Sequence, residues 1–365
     1  MKVAFFLGSL KRGGAESLVH DICLRKDYAP FRVCCLYRKD DDYSQAFKES
    51  GAELIQVKKS RSILHYLWDL RKAILSNGID IVHAQTPSNA LVSIASLLFS
   101  RVKVVTTFHG FSFSDAPKWY RKIVYRFSKA IICVSEFEKD FYKKKWKLPE
   151  SNKLRVIHNG IDFSKLDCPE PDTTRPVHID GKTLNMIMVG SFIEGRSQYF
   201  ICQVMQRLSQ MNVKFNMYFA GRRDEAEYWR YDDCVSFCQE NGLTDKVHFL
   251  GNRTDIPYLL RQMDLFLYAS EHDTFGIAVI EALASGLPVI VNDWEVMKEI
   301  TCNGDYALLY RTDDVEDCIE KIRFFKDAQN DLQSKMPETM EAVRWQYSMD
   351  RHMYELNKVY EKALL

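Results

Sequence analysis

The sequence contains 365 residues, of which 46% are hydrophobic and 27% are charged. This length is too great for one ordinary hydrophobic core and suits two α/β domains, and the composition argues against a disordered chain. The ten cysteines are scattered without a Cys-x-x-Cys pair, so neither a zinc site nor a disulfide framework is predicted. Free thiols suit a reducing cytosol.

The two halves of the chain differ in the sign of their charge. Residues 1–165 hold 29 Lys/Arg and 16 Asp/Glu, whereas residues 166–365 hold 21 and 33. This asymmetry predicts a basic N-terminal domain that faces an anionic partner. Chance, together with mutual attraction of the halves across a cleft, is the alternative.

Short apolar runs that suit buried strands alternate with longer amphipathic segments through the first half. The run at residues 3–7 is too short for a signal peptide, and a glycine turn and a helix starting near Ala15 follow it. Further strands are predicted at residues 33–37, 53–57, 79–84, 102–108, 130–134 and 154–157. A polar, proline-rich stretch at residues 168–177 then indicates a linker.

The same alternation restarts after the linker. Strands are predicted at residues 184–189, 214–220, 247–250, 265–268, 288–292 and 307–310, and helices at residues 275–285, 314–327 and 348–365. Apolar strands that alternate with helices imply a parallel sheet covered on both faces. Two doubly wound domains in tandem predict a ligand cleft at the carboxyl ends of the strands. No apolar run approaches the roughly 20 residues that span a bilayer, so we expect a soluble, cytoplasmic protein.

The densest polar signal lies at residues 270–289, which read as a strand end, a polar loop, a helix and a glycine stop. Asp273 lies in the loop, Gly276 permits close approach of a backbone N–H, and Glu281 lies one to two turns into the helix. Glu281 suits the two hydroxyls of a ribose, and Asp273 suits sugar hydroxyls. On residue chemistry alone, a helix cap and a surface charge are the simpler interpretation.

The order and spacing of motifs over nearly the whole chain favour a ligand-binding site over a helix cap and a surface charge. The segment from Asp273 to Glu281 resembles the E-x7-E region of the retaining family 4 glycosyltransferases with the GT-B fold, with Asp273 in place of the first Glu. The other segments that carry the resemblance are residues 8–16, 80–84, 107–110, 157–162, 189–196, 220–222, 247–253 and 263–264.

This resemblance implies an α/β architecture of two Rossmann-like, doubly wound parallel-sheet domains that face a central cleft. The expected N-terminal acceptor domain spans residues 1–165 and includes the C-terminal helix at about residues 350–365. The expected donor domain spans residues 166–349.

The resemblance also implies roles for individual residues. His109, Asp273 and Arg196 are expected to be catalytic, whereas His83 suits a site role and a packing role equally. The residues expected to bind the nucleotide-sugar donor are Gly13, Gly14, Ser191, Arg196, Arg222, Gly251, Asn252, Arg253, Asp273, Thr274, Phe275, Gly276, Ile277 and Glu281. Within this set, the loop at residues 251–253 would receive the base through backbone contacts.

The chain departs from the family's pattern at several of these positions. Ser191 stands where the family has an Arg, and Arg196 where it has a Lys, so Arg196, with Arg222, would stabilise the departing diphosphate. Ser197 replaces a Gly. Asp293-Trp294-Glu295 replaces a small glycine-rich turn, which would narrow the pocket or alter the partner that it accepts.

The expected function is retaining, metal-independent glycosyl transfer without a cofactor, from a nucleotide-sugar to a glycan or polyprenol-linked acceptor of surface polysaccharide biosynthesis. Uridine is favoured over guanosine as the base. No DxD motif stands out, and residues 40–42 suit a solvated surface. The alternatives are a nucleotide-sugar epimerase, which would consume donor without an acceptor, and a non-catalytic sugar-nucleotide-binding subunit. A phosphorylase would need a much longer chain.

Basic and aromatic residues are mixed at helical spacing at residues 118–129, and a basic run follows at residues 143–147. Such segments suit an anionic bilayer, so we expect peripheral contact of the N-terminal domain with the inner face of the cytoplasmic membrane. A helix with its aromatic side chains in the core is the alternative. No nucleic-acid-binding module accompanies the charge, so nucleic acid is not an expected partner.

Overall fold

The computed structural model describes residues 1–58, 62–111, 115–148, 151–167, 169–177, 179, 181 and 183–365. The chain divides into two compact units. Unit 1 comprises Met1–Asp162 and Tyr347–Leu365, and unit 2 comprises Phe163–Gln346. Residues 169–177 of the expected linker contain neither a strand nor a helix, and its first residue, Cys168, lies outside the described residues.

Strands and helices alternate along the described parts of both units. The strands are β1 (Lys2–Ser9), β2 (Arg32–Lys39), β3 (Glu53–Gln56), β4 (Ile81–Ala84), β5 (Lys103–Phe108), β6 (Ala130–Cys133), β7 (Leu154–Val156), β8 (Leu184–Val189), β9 (Phe215–Ala220), β10 (Val247–Gly251), β11 (Leu265–Tyr268), β12 (Val289–Asn292) and β13 (Leu308–Tyr310). The helices are α1 (Gly14–Leu24), α2 (Ser44–Glu49), α3 (Ile63–Ser76), α4 (Pro87–Ser96), α5 (Lys118–Phe127), α6 (Glu136–Trp146), α7 (Ser164–Asp167), α8 (Gln198–Gln210), α9 (Trp229–Glu240), α10 (Ile256–Gln262), α11 (Ile277–Ala284), α12 (Glu295–Ile300), α13 (Val315–Asp327), α14 (Gln329–Gln346) and α15 (Met349–Leu364).

Each unit is built on one parallel sheet, as the apolar runs predicted. The strand order is β3-β2-β1-β4-β5-β6-β7 in unit 1 and β10-β9-β8-β11-β12-β13 in unit 2. Every predicted strand is present, with bounds within two residues of the prediction. The fold class is therefore confirmed as α/β with two Rossmann-like parallel-sheet domains. In a parallel sheet the loops that follow the strands gather at one edge, and this edge holds the predicted site residues of each unit.

The sheet of unit 1 carries a helical layer on each face. Buried residues of α3, α4, α5 and α6, such as Leu70, Ile94, Val124 and Tyr142, pack on one face. Residues of α1, α2 and α15 pack on the other, and Tyr360 of α15 is fully buried there. The C-terminal helix therefore completes the core of unit 1.

The helix α14 was not predicted, and its sequence explains why. Its 18 residues are mostly polar, it contains Pro337, and its buried residues are Met336, Thr339 and Val343. A proline in a weakly periodic segment normally indicates a helix end. Packing against α11 places these few buried residues in unit 2.

Among the described residues, no helix is both long and apolar enough to cross a membrane.

Candidate functional site

The loop between β11 and α11 carries Asp273 at the carboxyl edge of the unit 2 sheet. At the end of this loop Gly276 takes a left-handed φ of 79° and forms the N-cap of α11. A Cβ on Gly276 would lie 2.9 Å from Ile300 Cδ1, so the turn needs glycine for both its conformation and its space. The helix therefore begins directly after a tight turn.

Asp273, Arg196 and Tyr268 form a polar cluster at this edge. Arg196 Nε lies 3.7 Å from Asp273 Oδ1, and the Tyr268 hydroxyl donates to Asp273 Oδ2 at 2.6 Å. Burial and the Asp273 carboxylate raise the pKa of Tyr268, so its hydroxyl stays protonated. The pKa of Arg196 is raised by Tyr268 and by Asp273, against the opposing effect of burial, so the guanidinium stays charged. The Arg196 and Asp273 side chains remain 25% and 17% exposed, which leaves both accessible to a ligand.

A glycine contact brings the loop with the cation against the loop with the carboxylate. The Ser270 hydroxyl and the Glu271 N–H donate to the Gly195 carbonyl at 3.0 and 2.9 Å. Gly195 has a φ of 80°, and a Cβ on it would lie 1.9 Å from His272 Cβ. Glycine is therefore required at position 195 for the two loops to meet.

The last residue of β12 and a residue shortly after it hold the β11–α11 loop through hydrogen bonds. The Asn292 side chain accepts from the Ser270 N–H at 3.0 Å and donates to the Ser270 carbonyl at 2.9 Å. The Trp294 indole N–H donates to the Asp273 backbone carbonyl at 3.2 Å. The sequence predicted that Trp294 and Glu295 narrow the pocket or alter the partner that it accepts, and the structure shows the Trp294 indole hydrogen-bonded to the backbone of Asp273. Glu295 is exposed and forms an ion pair within α12.

Glycines pack the loops after β8, β9 and β10 closely together. A Cβ on Gly221 would lie 1.8 Å from the Gly190 carbonyl oxygen, and the Gly221 N–H donates to the Gly251 carbonyl at 2.9 Å. Ser191 follows Gly190, and its backbone carbonyl accepts from Arg196 Nη1 at 3.5 Å. Ser191 therefore contributes a weak acceptor to Arg196 at the position where the resembled family has a second cation.

Two of the residues predicted to bind the nucleotide-sugar donor form ion pairs with other residues of unit 2, away from Arg196 and Asp273. Arg222 is 57% exposed and pairs with Asp224 at 3.3 Å. Arg253 forms a two-pronged ion pair with Asp255 at 2.8 and 2.7 Å, and both side chains are almost fully buried. Burial alone would raise the pKa of Asp255, but the hydrogen bonds from Arg253 help to lower it. The Arg253 guanidinium also donates to the Arg175 carbonyl at 2.7 Å, so it fixes the segment that enters unit 2.

The remaining residues of unit 2 that were predicted to bind the donor lie at the same carboxyl edge of the sheet or just beyond it. Phe275 is buried, Ile277 is exposed at the start of α11, and Thr274 and Glu281 are half-buried. The Asn252 carbonyl accepts from the Arg175 guanidinium at 2.9 Å. The structure thus brings Arg196 and Asp273 into contact and leaves Arg222 and the Arg253 side chain outside that cluster.

In unit 1 the two predicted donor glycines lie at the start of α1. Gly13 is the N-cap of α1 in an extended conformation, and a Cβ on it would lie 2.6 Å from Glu16 Oε2. Apart from its chain neighbours and the nearby backbone of α1, no atom of the described residues lies within 4 Å of a Cβ placed on Gly14. Burial raises the pKa of Glu16, which lies beside this turn. Packing in unit 1 therefore does not require a glycine at position 14.

His109 lines a cavity of about 370 Å³ in unit 1, at the carboxyl ends of β4 and β5. Its Nε2 lies 2.9 Å from Gln85 Oε1. Because an amide oxygen only accepts, Nε2 is the donor in this hydrogen bond. Burial, and to a smaller extent His352, lower the pKa of His109 to about 4, so the imidazole is neutral near pH 7. The other lining residues are Gln85, Thr86, Pro87, Ser88, Phe108, Gly110 and Tyr120, of which residues 85–88 belong to no segment that the sequence singled out.

Side chains of α6 hold the backbone next to His109. The Tyr142 hydroxyl donates to the Gly110 carbonyl at 2.6 Å. Glu138 is fully buried, and its carboxylate accepts from the Val134 N–H at 2.8 Å. Burial raises the pKa of Glu138 well above its usual value, against the lowering effect of the Val134 and Gly110 amides. The position of His109 is therefore supported by a second strand and helix.

His83 has a packing role in unit 1. Its Nδ1 lies 2.6 Å from the Tyr360 hydroxyl, and its Nε2 lies 2.6 Å from Thr107 Oγ1. The residue is 2% exposed, and burial lowers its pKa well below the usual value. The Nδ1 contact therefore joins α15 to the sheet, and the Nε2 contact joins β4 to β5. Among the described residues there is also no group of three or more His, Cys, Asp and Glu side chains placed to hold a metal ion.

Two described protein families match consecutive parts of the chain. Residues 12–165 match the family described as Glycosyltransferase Family 4, and residues 171–342 match the family described as Glycosyl transferases group 1. Together these matches account for most of both units.

The matches with similar curated proteins cover most of this chain and most of each relative. The putative glycosyltransferase EpsF of Bacillus subtilis is 25% identical over 312 residues, 80% of this chain and 79% of that protein. The O-antigen biosynthesis glycosyltransferase WclY of Escherichia coli is 22% identical over 313 residues, 82% of each chain. The UDP-Gal:alpha-D-GlcNAc-diphosphoundecaprenol alpha-1,3-galactosyltransferase of Escherichia coli is 24% identical over 251 residues, 65% of this chain and 62% of that protein.

Solved structures share the fold. A glycosyltransferase from Rickettsia africae has a TM-score of 0.84 at 18% identity, and the match covers 100% of this chain and 98% of that chain. HepE of Anabaena in complex with UDP has a TM-score of 0.83 at 16% identity, covering 98% and 99%. The same protein in complex with UDP-glucose has a TM-score of 0.80 at 17% identity, covering 98% of each.

Proposed function

Since this chain belongs to the glycosyltransferases of the family 4 and group 1 type with the GT-B fold, we propose that it transfers a sugar from a UDP-sugar to a lipid-linked glycan with retention of configuration. The observation that carries this proposal is the contact between Arg196 and Asp273 at the carboxyl edge of the unit 2 sheet. A fixed cation and a fixed carboxylate at one edge suit the two parts of a nucleotide-sugar, its diphosphate and its sugar hydroxyls.

Arg196 is assigned to the departing diphosphate. Charge accumulates on the leaving phosphate oxygens in the transition state, and a guanidinium already held in place stabilises it without reorganisation. The Asp273 carboxylate, kept in position by the Tyr268 hydroxyl, accepts hydrogen bonds from the transferred sugar. Glu281, on the helix that begins at this loop, binds the ribose hydroxyls, and the first N–H groups of α11 face a phosphate.

Retention follows from attack on the face that the leaving group occupies. The acceptor oxygen forms the bond to the anomeric carbon as the bond from that carbon to the phosphate oxygen breaks. The acceptor proton passes to the departing phosphate, which leaves as UDP. In this route the protein stabilises charge and positions the substrates, and no covalent intermediate with a side chain is formed.

The cavity around His109 is assigned to sugar recognition. The neutral imidazole, the Gln85 amide and the hydroxyls of Thr86, Ser88 and Tyr120 offer hydrogen-bonding groups without net charge. Such a lining suits a carbohydrate, whose hydroxyls donate and accept.

The identity of the substrates is inferred from relatives. The structural neighbour HepE binds UDP and UDP-glucose, and the galactosyltransferase relative takes UDP-Gal and a diphosphoundecaprenol-linked sugar. The O-antigen relative supports a role in surface polysaccharide biosynthesis. A lipid-linked acceptor would bring the basic N-terminal part of the chain to the inner face of the cytoplasmic membrane.

A thermal-shift screen without added metal tests the donor assignment. UDP and one UDP-sugar should raise the melting temperature, because a ligand that binds only the folded state stabilises it. That donor is then incubated with and without a polyprenyl-diphosphate-linked sugar. Product that forms only with the acceptor supports the transferase. Donor conversion without acceptor would indicate an epimerase, and binding without turnover would indicate a non-catalytic subunit.

A further inference from the structure

A turn in the segment that enters unit 2 lies against the loop that follows β10. The polar, proline-rich sequence of this segment predicts a linker, and the structure describes its residues 169–177. Within it, the Arg175 N–H donates to the Asp172 carbonyl at 3.2 Å and closes a turn at residues 172–175, here called the linker turn. The β10–α10 loop comprises residues 252–255. Contacts between these two parts attach the linker to unit 2.

Three hydrogen bonds join the linker turn to the β10–α10 loop. The Asp172 N–H donates to Asp255 Oδ2 at 2.8 Å. Arg175 takes part in the other two, since its Nη2 donates to the Asn252 carbonyl at 2.9 Å and its own carbonyl accepts from Arg253 Nη1 at 2.7 Å. Arg175 therefore contacts the loop through both its side chain and its backbone.

The ion pair between Arg253 and Asp255 makes two of these contacts part of the loop's own structure. Its guanidinium and carboxylate side chains are 3% and 4% exposed. Buried charges are stable only when their remaining donors and acceptors are also hydrogen-bonded. The linker turn supplies one acceptor to the guanidinium and one donor to the carboxylate. The conformation of the loop therefore depends on the linker turn.

One peptide unit of the loop has a carbonyl that is hydrogen-bonded and an N–H that is not. This peptide joins Asn252 to Arg253, and its carbonyl is the acceptor for Arg175. Arg253 is only 9% exposed, yet its backbone N–H has no hydrogen-bond partner among the described residues. Buried N–H groups are almost always paired in folded proteins, so this donor suits an acceptor atom of a ligand.

The planarity of this peptide connects its two polar groups. A peptide unit is rigid, and its carbonyl and N–H point in opposite directions, so a contact that fixes the carbonyl also fixes the direction of the N–H. The Arg175 guanidinium is itself held by Asp172, whose Oδ2 accepts from Arg175 Nε at 3.1 Å. Arg175 therefore sets the direction of the Arg253 N–H through the peptide, without a contact to a ligand.

We propose that Arg175 is a positioning residue for nucleotide recognition, which holds the Asn252 carbonyl so that the Arg253 N–H donates to the base of the donor. The proposal rests on the proposed function and on the expectation that the loop at residues 251–253 receives the base, and it adds the linker turn to that site. Uracil suits this donor because its ring carbonyls are acceptors, whereas cytosine has an amino group in place of one of them. Binding of the base should in turn restrain the linker turn, because coupling between two sites is reciprocal.

Calorimetric titration of the full chain with UDP, CDP and GDP tests this role. The measured quantity is the preference for UDP over CDP, given by the ratio of their dissociation constants, because damage to unit 2 as a whole would weaken both nucleotides alike. Arg175→Ala removes the contact to the Asn252 carbonyl, and Arg175→Lys keeps a donor without the planar fork. Arg207→Ala is the matched control, since Arg207 is 46% exposed, close to the 49% of Arg175, and pairs with Glu316 at 2.8 Å elsewhere in unit 2.

Arg175→Ala should weaken UDP binding by about 5-fold and CDP binding by less than about 2-fold, because one oriented hydrogen bond to the base is lost. Arg175→Lys should fall between Arg175→Ala and wild type, and Arg207→Ala should match wild type. Hydrogen exchange in residues 172–175 should slow when UDP binds to wild type, and it should slow less in Arg175→Ala.

The outcomes separate failure of this role from failure of the proposed function. A preference for UDP over CDP in Arg175→Ala that equals that of wild type would overturn the positioning role and leave the proposed donor intact. Wild type that prefers GDP, with that preference lost in Arg175→Ala, would support the role and refute uridine as the base. Wild type that binds no nucleoside diphosphate would refute the proposed donor and this role together.

Discussion

The two candidate binding regions of this chain use opposite chemistry. In unit 2, Arg196 and Asp273 form an ion pair, in which Arg196 Nε lies 3.7 Å from Asp273 Oδ1. In unit 1, the cavity around His109 is lined by amide, hydroxyl and neutral imidazole groups. Under the proposed function, the charged groups of unit 2 act on the leaving group, and the neutral groups of unit 1 bind sugar hydroxyls.

The two regions also differ in how they are built. The unit 2 cluster depends on backbone contacts that only glycine permits, at Gly195 and Gly221, where an added Cβ would lie within 2 Å of another atom. The His109 region is held by buried side chains of a neighbouring helix, Tyr142 and Glu138. Substitution of a side chain should therefore change the chemistry in unit 2 and the local stability in unit 1.

The largest effect is expected for Arg196→Ala. Loss of the cation should lower kcat by about 10²–10³-fold, because a preorganised charge on the leaving group acts mainly in the transition state. KM for the donor should change much less. Arg196→Lys should be intermediate, since lysine keeps the charge without the planar donor fork. Steady-state kinetics with the donor varied measure both constants.

Arg222→Ala is the matched control for the Arg196 variants. Arg222 follows the next strand, is exposed, and pairs with Asp224. Its loss should change kcat by less than about 3-fold. A loss of kcat in Arg222→Ala as large as that in Arg196→Ala would assign the leaving group to both cations and refute the single-cation description.

Glu281→Ala should have the next largest effect, on affinity. If the carboxylate binds the ribose, its removal should weaken UDP binding by about 1–3 kcal/mol. Calorimetric titration with UDP measures this loss directly. Glu295→Ala is the control, because Glu295 is exposed and paired within α12. Unchanged affinity of Glu281→Ala for UDP would exclude the ribose role.

The positions of the strands could be predicted because their apolar runs have one physical cause. A strand that is covered by helices on both faces must be apolar at consecutive positions, and short runs of this kind alternate with longer amphipathic segments through both halves of the chain. The helix α14 lacked such a signal, since it buries few residues and contains Pro337.

The partners of the site residues could not be predicted in this way. Asp273 stood out as a carboxylate in a loop, but Tyr268 ends an apolar run and its hydroxyl contact depends on the fold of the loop. Asn292 and Trp294 reach the same loop because β12 lies beside β11, with Tyr268 paired to Val291. Contacts of this kind require the strand order and register, which local spacing does not contain.

Acid sensitivity should distinguish the His109 region in unit 1. The pKa of His109 is about 4 in the folded chain and about 6.5 when unfolded, so the unfolded chain binds the extra proton between these values. Stability is therefore lost as the pH falls through this window, by up to about 2 kcal/mol at pH 5. Glu138 acts in the opposite sense, because its raised pKa favours the folded state at low pH.

Hydrogen exchange of peptides from β4 and β5 at about pH 7 and about pH 5, compared between wild type and His109→Gln, separates His109 from His83, whose pKa burial also lowers. His109→Gln should lose less protection than wild type between the two conditions, since it cannot bind the proton. At each pH the comparison is made between the two proteins, which removes the intrinsic pH dependence of exchange. A difference between them that is the same at both values would show that His109 does not titrate in this window.

The smallest effect is expected for Trp294→Phe. The change removes the indole N–H that donates to the Asp273 carbonyl and retains an aromatic ring. The loss of one neutral hydrogen bond should lower kcat/KM by about 2–5-fold, about 0.5–1 kcal/mol, if Trp294 acts by bracing the loop. Trp345→Phe, on the exposed surface of α14, should leave kcat/KM unchanged. An increase in kcat/KM for Trp294→Phe, or acceptance of a larger donor sugar, would instead show that the indole narrows the site, because relief of a steric limit acts in the opposite direction to loss of a hydrogen bond.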